Sequence, residues 1–375
     1  MKSLAEIRHH LHANPEVSGN EIQTAEFIYQ ELSESCAPDE LVKLDCHAVI
    51  ARFGSNSEGK HIMIRGDIDA LPIQEINDFT HRSKVDGVSH KCGHDGHASI
   101  LIGLARKLSN EKPKSGEVIL LFQPAEENGE GAKAVIADTY FKELQIDFTY
   151  ALHNLPGFPK HQIVIREKQF NAHVISMIIK LNGKTAHAAE PEFGHNPSMA
   201  ISKSLLVSQQ MVKNDMEAED FFLITPIHLK MGDLAYGISA GYGEIHFTIR
   251  AWDSKLVKKN CLVLEQVVKS IGEEENLNVE VSYTQEFAAN MNDDAAIEHL
   301  KSAVKSAKLD HCLLNRAFKW GEDFGLFTQR FPGAMFGLGS GEDCPALHNP
   351  DYDFPDDITE SGIEVFHQII KEIDA

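Results

Sequence analysis

The chain has 375 residues, enough for about two domains, and its 42% hydrophobic and 24% charged content is that of a soluble globular protein. The formal net charge of −21 argues against nucleic acid and anionic membranes as partners, because both need clustered Lys and Arg. No stretch approaches the ~18 apolar residues of a membrane span, and the opening MKSLAEIRHHLHANPE lacks the apolar core of a signal peptide, so the expected compartment is the cytoplasm.

That opening segment reads as an amphipathic helix. After a turn at NPEVSGN, the segment EIQTAEFIYQELSES reads as a second helix. HAVIARF and KHIMIRGD are short apolar runs that stop at charged residues or glycine, as buried strands do. HASILIGLARKLSN is an apolar helix and GEVILLFQ another buried strand, followed by FTYALHN and HQIVIRE. Strand–helix alternation of this kind predicts a mostly parallel sheet with helices on both faces.

The pattern then changes. HVISMIIKLNG is a strand, NPSMAISKSLLVSQQMVKN a helix, FFLITPIHLKMG and GEIHFTIRAWD strands, SKLVKKNCLVLEQVVKSIGEEE a helix and NVEVSYTQEF a last strand. The order β-α-β-β-α-β is that of a ferredoxin-like unit. The helix DDAAIEHLKSAVKSAK, the strand PGAMFGLG and the helix ITESGIEVFHQIIKEI then complete the first sheet. The expected fold is an α/β catalytic domain of residues 1–170 and 287–375, with a ferredoxin-like α+β domain at 171–286 inserted into it.

Six cysteines are scattered without a framework spacing and read as free thiols of a reducing compartment. Cys92 differs through its company. In CGHDGH, Cys92 and His94 place a thiol and an imidazole two residues apart at the entry to an apolar helix. Sulfur and imidazole nitrogen are donors suited to zinc, cobalt, nickel or manganese. In LLFQPAEENGEGA, Glu126 and Glu127 directly follow a buried strand, where open α/β sheets place ligands. One carboxylate can hold a metal while its neighbour takes a proton from the activated water. His153 ends the apolar run FTYALHN, and His348 lies in the proline-flanked loop CPALHNPDYDF.

Taken singly, each of these has an ordinary alternative: a glycine-rich helix entry, an acidic first turn, a capping or core histidine. Taken together, they all fall where a parallel sheet presents side chains to one crevice. Five donors and a spare carboxylate suffice for two metals sharing a thiolate and a water. Asp67 and Asp69, in RGDIDALP, reach the same edge, where Asp69 could hydrogen-bond a ligand imidazole and fix its tautomer.

The ordered set LHANPE, DIDALP, CGHDGH, QPAEENGEGA, ALHN, GKTAHAAEPEFGHNP, GEDF and LHNPDYDF spans nearly the whole chain. It resembles the metallo-amidohydrolases that include hippurate hydrolase, N-acyl-amino-acid deacylases, N-acetyldiaminopimelate deacetylase and the auxin-amide hydrolases. The resemblance implies two divalent metal ions per subunit (Mn, Zn, Co or Ni), one held by Cys92, Glu127 and His348, the other by Cys92, His94 and His153. It implies Glu126 as general base and Asp69 as a supporting catalytic acid. It makes the inserted domain a lid and dimerisation module, with His187 stabilising the oxyanion, often across a homodimer, and with Arg250 and Asn196 as substrate-binding positions. The chain departs from the pattern in three places: Thr185–Ala186 precede the lid histidine, HQIVIREKQFNAH replaces a glycine-rich tail, and AYGIS stands where relatives carry an asparagine. All three lie where acyl group or side chain would bind.

The expected activity is hydrolysis of the amide of N-acetyl or aryl-acyl amino acids by a metal-activated water. A dipeptidase or carboxypeptidase using the same site is the first alternative. A metal-stabilised binding protein without turnover is the second, and it would have no need of Glu126.

Overall fold

In the computed structural model, which describes residues 1–55 and 57–374, the apolar runs of the first third become the strands Val49–Gly54, His61–Asp67, Glu117–Gln123 and Phe148–Pro156. All but the first residue of His61–Asp67 and of Glu117–Gln123 are buried, as central strands covered on two faces must be. They belong to an eight-stranded sheet in the order Glu40–Lys43, Val49–Gly54, Glu117–Gln123, His61–Asp67, Phe148–Pro156, Gly333–Gly341, Ile163–Ile165, His311–Leu313. His61–Asp67 runs parallel to both neighbours, and Phe148–Pro156 runs parallel to Gly333–Gly341. Antiparallel pairing enters at Glu40–Lys43 with Val49–Gly54, at Val49–Gly54 with Glu117–Gln123, and where Ile163–Ile165 meets Gly333–Gly341. The two edge strands, Glu40–Lys43 and His311–Leu313, have no buried residue, so no long apolar run marks them in the sequence.

The helices form where caps and apolar faces coincide. Ser3 and Glu6 close a capping box at the start of Leu4–Ala13, and Asp293 caps Asp294–Ala307. Helices Leu4–Ala13, His94–Asn110, Asp294–Ala307 and Thr359–Ile373 pack on one another and on the sheet. Their shared core includes Ile64, Leu101, Leu120, Leu300, Phe336 and Phe366.

The middle of the chain builds a second, separate core. Its antiparallel sheet has the order Phe222–Met231, Tyr242–Ala251, His173–Asn182, Asn278–Phe287, and the helices Ser198–Met211 and Ser254–Glu274 cover it. Tyr242–Ala251 alternates buried and partly exposed residues, with Ile245, Phe247 and Ile249 facing Leu264 and Val268. Fold class and the β-α-β-β-α-β order are therefore those expected.

The chain divides into two compact units: Met1–Phe170 with Asn290–Asn315 and Glu322–Ala375, and Asn171–Ala289 with Arg316–Gly321. The boundaries expected from the sequence put 287–289 and 316–321 in the first domain instead. In the structure Phe287 still pairs with Val174, Ala172 N–H donates to Phe318 O at 2.9 Å, and the Arg250 guanidinium donates to Lys319 O at 2.7 Å. Among the described residues no helix is long and apolar enough to cross a membrane, and all six cysteines are free.

Candidate metal centre

Four loops of the first unit converge at the ends of its central strands. His61–Asp67 hands over to Ile68, whose N–H donates to Gln123 O at 3.0 Å, and Asp69 follows. Pro124 stops the strand Glu117–Gln123, because it has no N–H for the ladder. Ala125 then takes a left-handed φ of 53°, which turns the chain and delivers Glu126 and Glu127. The helix His94–Asn110 opens behind Gly93, whose φ is 94°; a Cβ there would meet Asn154 Oδ1 at 2.4 Å. Only glycine allows this approach.

His153 is not the end of its run, as the sequence reading had it. The strand continues to Pro156 beside Gly333–Gly341, but its pairing with His61–Asp67 stops at Ala151. His153 therefore stands beyond the end of that neighbour. His348 occupies a left-handed φ of 66° in its loop, where its N–H donates to Lys91 O at 2.7 Å.

Several groups of donor atoms result, each with all members within 4.8 Å of one another; two of them share Cys92, namely Cys92, His94 and His153, and Cys92, Glu127 and His348, while His94 also groups with Glu126 and Glu127 and with Asp67 and His97. Cys92 Sγ lies 3.5 Å from His153 Nε2. Glu127 Oε1 lies 3.5 Å from His348 Nε2 and 3.8 Å from His94 Nε2. The tautomers follow from the other ring nitrogens. His94 Nδ1 meets Asp69 Oδ1 at 3.1 Å and Asp69 O at 3.0 Å; His153 Nδ1 meets Asn154 O at 2.8 Å. With the proton on Nδ1 in both, each Nε2 presents a lone pair to the shared space. His94 Nε2 and Glu127 Oε1 are buried and lack hydrogen-bond partners. Orphaned buried polar atoms are costly, and a cation between them would resolve the cost. Thiolate, imidazole and carboxylate in this proportion suit zinc, cobalt, nickel or manganese.

Charge in the centre is unbalanced in the same sense. Burial, then Glu127 and Glu126, push the Cys92 thiol well above its ordinary value. Burial opposes charge on His94, yet Asp67 and Asp69 outweigh it and push His94 up to about 10. Burial raises Glu126 well above the carboxylate range, and Glu322 and Glu127 add to it. Burial pulls His153 down to about 3. A divalent cation is what would let Cys92 and Glu126 ionise together.

Around the donors lies a layer of buried charged side chains to which the sequence alone assigns no role. Asp67 bonds His97 Nδ1, while His97 Nε2 accepts the Asn154 N–H at 3.2 Å. The buried Arg65 guanidinium joins Asp67, Glu322 and Asp323. Glu126, Glu322 and Asp323 form a further cluster of carboxylates within 4.8 Å. Burial, opposed by Arg65, leaves Asp323 raised to about 8. The GEDF motif was a visible signal, but its partner Arg65 lies 257 residues away from Glu322 in the chain.

Three of the expected site residues lie in the second unit. His187 is exposed on the short strand Ala186–His187, paired with Ile238–Ser239. Asn196 bonds Ser239 Oγ at 3.0 Å and accepts the Ser198 N–H at 2.9 Å. Arg250 sits opposite Val174, at the other end of the sheet from the Tyr242–Asn182 pair beyond which His187 lies. Eight residues of strand separate those ends, roughly 27 Å at ~3.4 Å per residue.

The model of peptidase family M20/M25/M40 matches residues 63–372. The chain is 32% identical to an N-acetyl-L-cysteine deacetylase of Bacillus subtilis over 93% of this chain and 83% of the relative. It is 29% identical to a hippurate hydrolase of Campylobacter jejuni over 93% and 91%. A crystal structure from Bacillus subtilis, described as a dinuclear metal binding peptidase from M20 family, superposes with a TM-score of 0.81 at 25% identity, covering 98% of this chain and 96% of the other.

Proposed function

The chain belongs to peptidase family M20/M25/M40 and is a hydrolase of amide bonds, and from that premise we propose that it cleaves N-acyl amino acids, with acetyl or aryl-acyl groups, at a dinuclear centre that Cys92, His94, Glu127, His153 and His348 would hold. The observation that carries this reading is the pair of donor groups sharing Cys92 while the adjacent Glu126 belongs to neither. The names of the deacetylase and hippurate hydrolase relatives support the substrate class.

Two divalent cations, one at Cys92, Glu127 and His348 and one at Cys92, His94 and His153, would supply Lewis-acid activation of the attacking water and of the amide carbonyl. Glu126 accepts the proton of the attacking water on a carboxylate oxygen and returns it to the leaving amine nitrogen. Asp69 holds the His94 ring with its proton on Nδ1, so that Nε2 faces the centre. His187 donates to the oxyanion, and Arg250 and Asn196 meet the amino-acid end of the substrate. Within one copy His187 lies on a two-stranded ribbon beyond the Tyr242–Asn182 end of the four-stranded sheet and Arg250 lies at the other end of that sheet, too far apart to share one small substrate. Asn196, bonded to Ser239 on the same ribbon, goes with His187; we therefore place these residues in a homodimer, one subunit supplying His187 and Asn196 to its partner. The exposed apolar side chains Ile227, Leu229 and Met231 on the edge strand of that sheet support a second copy there. A cytoplasmic setting keeps Cys92 reduced.

The test is a panel of N-acetyl and N-benzoyl amino acids against free dipeptides, after reconstitution with Mn, Zn, Co or Ni. Turnover of the acyl amino acids is the expected result. Turnover of dipeptides alone would make the enzyme a peptidase, and no turnover by a metal-replete preparation would leave it a binding protein.

A further inference from the structure

Beneath the centre runs a row of buried charged side chains that none of the proposed catalytic steps uses. Its middle member is His12, on the first helix, with no exposed surface. His12 Nδ1 lies 2.8 Å from Asp95 Oδ2, and His12 Nε2 lies 3.0 Å from Glu75 Oε1. A neutral imidazole can donate from one nitrogen only, so a ring with a carboxylate at each nitrogen is satisfied as an imidazolium. The other groups around it are Asp353 at 3.7 Å, and the rings of His81, Phe79 and His90.

Each of the two carboxylates leads to a ligand-bearing segment. Asp95 directly follows His94 and also receives the buried Arg8 Nη1 at 3.2 Å. Glu75 takes Lys91 Nζ at 2.5 Å, and Lys91 directly precedes Cys92. Lys91 Nζ also donates to Tyr352 O at 2.7 Å, while Lys91 O holds the N–H of His348, the residue in the left-handed conformation. Tyr352 Oη in turn accepts Asn154 Nδ2 at 2.5 Å, beside His153. One histidine on the first helix thus ties together the segments that carry Cys92, His94 and His348, with His153 one bond further on.

We propose that His12 is a positioning residue for the metal centre: as a doubly bonded imidazolium between Asp95 and Glu75, it sets the spacing of Cys92, His94 and His348. It acts through those segments and touches neither metal nor substrate. The proposal rests on the metal-centre reading above but not on the substrate class.

The experiment uses full-length apoprotein titrated with Co(II), read by calorimetry and by the thiolate-to-cobalt charge-transfer absorption that reports on Cys92. His12→Gln, which can donate from one end only, is expected to lower Co(II) affinity by about 10–100-fold, the range for groups that orient metal ligands, and to shift the charge-transfer band. Ile297→Val, a core change in the same unit and away from the centre, is expected to lower the apo melting temperature without moving either reading. Should His12→Gln yield no folded protein, the nearly isosteric Glu75→Gln carries the same expectation. Affinity within threefold of the parent with an unchanged band overturns the proposal. So does a loss of affinity that Ile297→Val reproduces. A parent protein that binds no Co(II) refutes the metal centre itself, which is a distinguishable failure.

Discussion

Asp69 Oδ1 lies 3.1 Å from His94 Nδ1 while the other oxygen of the same carboxylate accepts the N–H of Glu127 at 3.0 Å and the hydroxyl of Ser18 at 2.7 Å. One buried side chain therefore orients a donor of each group at once. Burial alone would raise the Asp69 carboxyl; the bonds from His94 and Glu127 hold it below its usual value. Asp69→Asn is expected to lower metal affinity and activity by about 10–100-fold, since an amide can accept at one end only. Calorimetric titration of the apoprotein measures the first. An Asn variant with parental affinity would show that the backbone carbonyl of Asp69, also 3.0 Å from Nδ1, suffices to orient the ring.

Glu126 and Glu127 are adjacent, but only Glu127 belongs to a Cys92-centred donor group. Glu126→Gln is expected to keep its metal and lose about 10²–10⁴-fold in turnover, the contribution of a general acid–base group. Metal analysis alongside kcat separates the two effects. Near-parental turnover would remove Glu126 from the proton-transfer role.

Cys92 is common to both donor groups, whereas His348 belongs to one. Cys92→Ala is expected to abolish tight binding at both sites, and His348→Ala at one. Metal content after dialysis is the measurement. Equal losses in the two variants would contradict a bridging thiolate.

His12 makes stability depend on pH. Burial would lower its pKa, but the bonds to Asp95 and Glu75 reverse that and raise it to about 9, from an ordinary value of about 6.5. A pKa raised on folding contributes stability that is complete below the unfolded value and disappears as pH rises through the folded one. The window is therefore about pH 6.5 to 9, and the amount is on the order of 3 kcal/mol. The melting temperature of the apoprotein should fall across that window, and His12→Gln should flatten the fall. An identical slope in both proteins would place the titrating group elsewhere.

The sequence and the structure divide the information along a physical line. The strands His61–Asp67 and Glu117–Gln123 were legible because burial on two faces demands continuous apolar runs. The donors Cys92, His94, Glu127, His153 and His348 were legible because metal and proton chemistry draws on few residue types, set in short motifs where those runs end. What the sequence determined alone was therefore the inventory: an α/β sheet, an inserted α+β unit, five donors and a spare carboxylate. The sharing of Cys92 between two donor groups came from the resemblance, not from the residues alone; only the tertiary structure decided which ring nitrogen carries each proton and which charged side chains stand behind the donors. Those facts depend on contacts such as Lys91 with Tyr352, 261 residues apart, and Arg65 with Glu322, 257 apart. Charge pairing across such distances leaves no periodicity in the chain. It is created when strands and loops from opposite ends of the sequence are brought to one edge and their polar atoms, cut off from water, must satisfy one another.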